Sequence, residues 1–179
     1  MDDRSSRSGA ERGSARGSSR NATCTLVLAA LFAAIGVLLS SFAVPVGGAR
    51  VLPFQHAINA VAGVLLGPWW AAGSALVTAT LRFAFGTGSL FAFPGSPFGA
   101  VAVGFAYMYM KRDEAALFEP VGTIFVGATL GALLISPFIG EATGGFIALA
   151  VSFALSSIPG AIVGYLVLKA LRRAGVIGR

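Results

Sequence analysis

The sequence is short of the groups that most enzymatic chemistry requires. It holds one cysteine, Cys24, so neither an intramolecular disulfide nor a cysteine-built metal site can form. It holds one histidine, His56, and no H-E-x-x-H pattern. No aspartate lies between Asp3 and Asp113, which leaves a Ser/His/Asp triad without its acid. Neither Lys111 nor Lys169 follows a glycine or precedes Ser or Thr, so a Walker phosphate loop is absent. The expectation is a non-catalytic protein with no cofactor and no metal.

Charge is equally scarce. Charged residues make up 11% of the chain and hydrophobic ones 56%, against roughly a quarter charged in a soluble domain. From Cys24 to Leu168 there are eight charged side chains in 145 residues, four of them in the run "KRDE" at 111–114. Such a chain has too little polar surface to face water, and it reads as an integral membrane protein in contact with the lipid bilayer. The net charge of +6 does not point to nucleic acid, because the basic residues sit at segment ends and not along one face. The opening residues, 1–22, are rich in Ser, Gly and Arg and read as a disordered tail. Residues 174–179 form a short basic C-terminal tail after a membrane domain of residues 23–173.

What is present is a series of six apolar segments: 23–42, 53–66, 69–85, 96–110, 120–138 and 144–171. The second and fourth fall short of the roughly 20 residues of a full span. Pro53 and Pro68 bracket the second, and Pro94 and Pro97 open the fourth. Six spans put both termini on one side, together with Lys111, Arg112 and eleven of the thirteen basic residues in all. The positive-inside rule makes that side cytoplasmic in a multi-pass plasma-membrane protein. The fold expected is all-α, six transmembrane helices with both termini cytoplasmic.

The polar residues that remain are concentrated. "RVLPFQHAIN", residues 50–59, carries the only glutamine, the only histidine and one of two asparagines. On a helix, Gln55, His56 and Asn59 share one broad face, and their side chains donate and accept without an obligatory charge. Beside them stands Arg50. They suit a neutral polar heterocycle at least as well as bundle packing. Arg82, near the outer end of the third segment, reads equally as a headgroup-seeking cation or as an inward-pointing substrate contact. The loop "GTGSLFAFPGSP" offers Thr87, Ser89 and Ser96 as hydroxyls and Phe91 and Phe93 as flat apolar faces, with glycines for close approach. Glu141 reads as a solvated loop carboxylate, with a substrate contact as the alternative. Small residues recur four apart, Ala29/Ala33 and Ala30/Ala34 on the first segment and Gly63/Gly67, Gly127/Gly131 and Gly160/Gly164 later. They read as close helix packing, with the alanines alternatively a docking face for another membrane protein.

The runs "PVGGARVLPFQHAINAVAGVLLGPWWA" and "LRFAFGTGSLFAFPGSPFGA" closely resemble ThiW-type proteins, the thiazole-specific substrate-binding (S) components of energy-coupling factor (ECF) transporters. The resemblance extends from about Ala29 to the end of the sixth segment, with Trp70 a minor departure. It implies an S-component-like six-helix bundle that captures hydroxyethylthiazole, a thiamin precursor, from outside. It also implies a transmembrane coupling protein and two cytoplasmic ATPases as partners, docked through Ala29, Ala30, Ala33 and Ala34. Gln55, His56 and Asn59 would then hydrogen-bond the ligand, Arg50 and Arg82 would brace the mouth, and loop 86–96 would close with Phe91 or Phe93 against the ring. The rival readings are an S component for another small solute and a self-sufficient channel or secondary transporter.

Overall fold

The computed structural model describes the backbone of residues 4–46, 49–139 and 145–178, and side chains from Ala22 onward except at Val46, Ala49 and Arg50. Helix α1 (Arg4–Leu39) is followed by a small hairpin, β1 (Val44–Val46) and β2 (Ala49–Val51), then α2 (Pro53–Leu66), α3 (Pro68–Ala84) and α4 (Ala92–Met110). A 3₁₀ turn (Asp113–Phe118) opens a compound segment in which π-helical stretches at Val121–Gly127 and Gly131–Ile135 alternate with α5 (Ala128–Leu130) and α6 (Ser136–Ile139). The last helix is α7 (Gly145–Arg173). Three helical stretches are long and apolar enough to cross a membrane: Ala22–Leu39, Asp113–Ile139 and Gly145–Arg173.

The packing is inside-out relative to a water-soluble protein. The buried residues are mostly small, with Ala60, Ala79, Ala100, Ala115, Ala116 and Ala128 all fully buried. Large apolar side chains point away, Trp69 at 73%, Tyr109 at 93% and Phe138 at 91% exposure. Water would penalise that surface, whereas lipid does not, and close approach of small residues is how helices associate in lipid. The chain is therefore a helical membrane protein, and among the described residues its strands are those of the hairpin, paired Val44 to Val51, Pro45 to Arg50 and Val46 to Ala49.

Two elements are positioned by glycine and proline. Gly67, at φ +78°, turns the chain between α2 and α3, each of which starts on a proline. A Cβ there would meet nothing within 4 Å, so Gly67 serves the corner and not helix packing, unlike its partner Gly63, whose Cβ would collide with Val103. Gly160 and Gly164 bring α7 onto α2: a Cβ at Gly160 would strike the Pro53 carbonyl and His56, and one at Gly164 would meet Ala60.

The expected docking face on α1 divides. Ala29 and Ala33 are buried against α3, where Ser74 Oγ donates to the Ala29 carbonyl at 2.9 Å and Thr78 Oγ1 to the Ala33 carbonyl at 3.3 Å. Ala30 and Ala34 are exposed. Helical geometry puts i and i+4 on one side, so one pair serves the bundle and the other faces out. Helix α4 begins at Ala92, not Ser96, because the first turn of a helix tolerates a proline such as Pro94, and Pro97 is carried inside it. The glycine-rich loop is thereby shortened to residues 85–91.

Candidate functional site

A cavity of about 340 Å³ opens where α2 begins, α3 ends and α4 begins, and the early part of α7 supplies its far wall. Its polar lining includes Gln55, His56, Arg82 and Ser96; its apolar lining includes Phe91, Leu149 and Phe153.

Each polar group has a reason for its position. Gln55 and Asn59, one turn apart on α2, both reach Ser96 on α4: Gln55 Nε2 donates to Ser96 Oγ at 2.6 Å and Asn59 Nδ2 to the Ser96 carbonyl at 3.3 Å. The start of α2 is held to α7 by the Leu52 amide donating to Ser156 Oγ at 3.2 Å. Arg82 is 1% exposed. Its Nη2 donates to the Thr87 carbonyl at 3.3 Å, while its own carbonyl accepts from the amides of Thr87 and Gly88, each at 2.9 Å. Arg82 thus ties off the loop that roofs the cavity.

The least expected contact involves Glu119, which the sequence reading did not single out. Its carboxylate is fully buried, with Oε1 2.8 Å from His56 Nδ1 and accepting from Thr123 Oγ1 at 2.7 Å. Gly99 makes the room, since a Cβ there would collide with this carboxylate. The 3₁₀ turn Asp113–Phe118 carries the chain back from the end of α4 to the level of Gly99. One available signal was a solitary acid immediately ahead of an apolar span, which in a membrane is a functional candidate by default.

Of the residues proposed from sequence, Gln55, His56, Arg82, Thr87, Ser89, Phe91 and Ser96 are brought together on the cavity wall. Asn59 is not on the wall; it is buried behind it, holding Ser96. Phe93 turns away to make an edge-to-face contact with Phe83 at 6.0 Å between centroids. The Arg50 side chain and Glu141 lie outside the described residues. Ser152, Phe153 and Ser156 of α7 are additions. The two serines also satisfy themselves on carbonyls four residues back, which from sequence is indistinguishable from ordinary helix packing.

A small cavity lined by hydrogen-bonding groups together with aromatic and aliphatic ones, set within an inside-out helical bundle, defines a membrane protein that handles a small organic solute. The model of the thiamine-precursor transporter family ThiW matches residues 26–174. The chain belongs to that family. No curated protein matches it in sequence.

Proposed function

We propose that the chain is the substrate-capturing S component of an ECF transporter and that its ligand is hydroxyethylthiazole. The observation that carries this reading is the cavity itself. Its volume of about 340 Å³ lies at the small end of the roughly 300–1,000 Å³ range of ligand pockets, which suits a single substituted ring. Gln55, His56 and Ser96 offer hydrogen bonds to a ring nitrogen and a hydroxyl, and Phe91 and Phe153 offer apolar faces to the ring.

The orientation that goes with this reading places the cavity outside and both termini in the cytoplasm, in keeping with the positive-inside rule. The chain has no phosphate loop of its own, so energy would come from two partner ATPases through a transmembrane coupling protein. Ala30 and Ala34, exposed on α1, are the part of the alanine face left for that partner. Proteoliposomes test the division of labour. Uptake of hydroxyethylthiazole is expected only when the coupling protein and ATPases are co-reconstituted with internal ATP. Uptake by this chain alone would establish the secondary-transporter reading in its place.

A further inference from the structure

The pairing of His56 with Glu119 bears on which form of a heterocycle the cavity accepts, given that the cavity is the ligand site. Nδ1 of His56 is committed to Glu119 Oε1 at 2.8 Å. The imidazole also lines the cavity, with its side chain 8% exposed. Nε2 is therefore the ring atom left to meet a ligand.

Whether Nε2 donates or accepts follows from counting protons on the pair. If histidine is protonated and glutamate ionised, Nε2 bears a hydrogen. If the proton sits on the glutamic acid, which then donates to Nδ1, the neutral imidazole must carry its hydrogen on Nε2. Both arrangements are net neutral, and both make Nε2 a donor. Nε2 is bare in two other arrangements: neutral histidine donating from Nδ1 to a carboxylate, which is net negative, and neutral histidine donating to a glutamic acid whose own proton sits on Oε2, where no described residue accepts it.

The surroundings favour the neutral count. The Glu119 carboxylate is 0% exposed, and among the described residues Oε2 has no hydrogen-bond partner. Apart from His56, the group that hydrogen-bonds it among the described residues is the uncharged Thr123 hydroxyl. Burying an uncompensated charge there is costly, whereas a pair that keeps its extra proton avoids the cost.

We propose that His56 and Glu119 form a net-neutral pair presenting Nε2–H to the cavity, and that this donor selects ligands with a neutral heteroaromatic acceptor and rejects their N-alkylated cations. Alkylation removes the lone pair that Nε2–H needs. Glu119 acts here as a positioning residue, through His56.

His56 is the chain's only histidine, so protein purified without a histidine tag and labelled with ¹⁵N-histidine gives a single imidazole spectrum. The expected result is a one-bond N–H coupling at Nε2. A bare Nε2 overturns the proposal whatever the protein binds. In parallel, equilibrium binding compares hydroxyethylthiazole with its N-methylthiazolium derivative. The thiazolium is expected to bind at least about tenfold more weakly, the equivalent of one good hydrogen bond. Equal affinity for the two overturns the selectivity. Failure of both compounds to bind, with Nε2 protonated, rejects the thiazole assignment while upholding the donor.

Discussion

At the end of the bundle where α2 begins, polar groups are turned inward: Gln55 on Ser96, His56 on Glu119, Arg82 on its own loop. At the opposite end, where α4 and α7 finish, they are charged and paired with one another. Arg172 Nε donates to both oxygens of Asp113, at 2.7 and 2.6 Å, and its Nη2 to the Tyr107 hydroxyl at 3.3 Å. Tyr165 donates to Glu114 at 3.5 Å, and Lys169 lies 4.7 Å over the Tyr165 ring. Polar groups at the first end surround a cavity, whereas those at the second clamp the 3₁₀ turn Asp113–Phe118 against α7. The difference teaches that polarity alone does not mark a site in this fold. A site needs hydrogen-bonding groups that still have an atom turned toward open space.

Substitutions should separate the two ends. The largest effect is expected from His56→Ala, which removes the ligand donor and leaves Glu119 buried without compensation. Breaking one side of such a pair costs about 3–5 kcal/mol. The melting temperature in detergent should fall by roughly 10 °C for a chain of this size, with loss of ligand binding. Retained binding and stability would show that the two ends are not different in kind. Asp113→Asn should come next, costing about 1.5–3 kcal/mol of stability through lost charge-assisted bonds with ligand affinity unchanged. A matching loss of affinity would mean that the ends are coupled. Arg112→Ala should do least, because its pair with Glu114, at 3.5 Å, is exposed, and such pairs contribute about 0–1 kcal/mol. Melting within error of wild type is the expected reading.

How far the sequence revealed this arrangement depended on whether the signal was local. Helix α2 was legible to the residue, since Pro53 and Pro68 bound it. Gln55 and His56 stood out through their scarcity in an apolar chain, whereas Ser96 was one loop hydroxyl among many serines. The start of α4 was misplaced because Pro94 and Pro97 read as an opening, although the helix already begins at Ala92. The hairpin falls between the apolar segments 23–42 and 53–66, and its strands, only three residues long, leave no alternation to detect. The division of the α1 alanines needed knowledge of where α3 packs. Glu119 lies 63 residues from His56, and no period or spacing links them. The link depends on the 3₁₀ turn returning the chain to the depth of Gly99, which is a tertiary fact.

The most direct measurement is equilibrium binding of radiolabelled hydroxyethylthiazole to the purified protein in detergent. The account predicts saturable binding at one molecule per chain, displaced by the unlabelled compound and absent in His56→Ala. No saturable binding, or saturable binding that survives in His56→Ala, would contradict it.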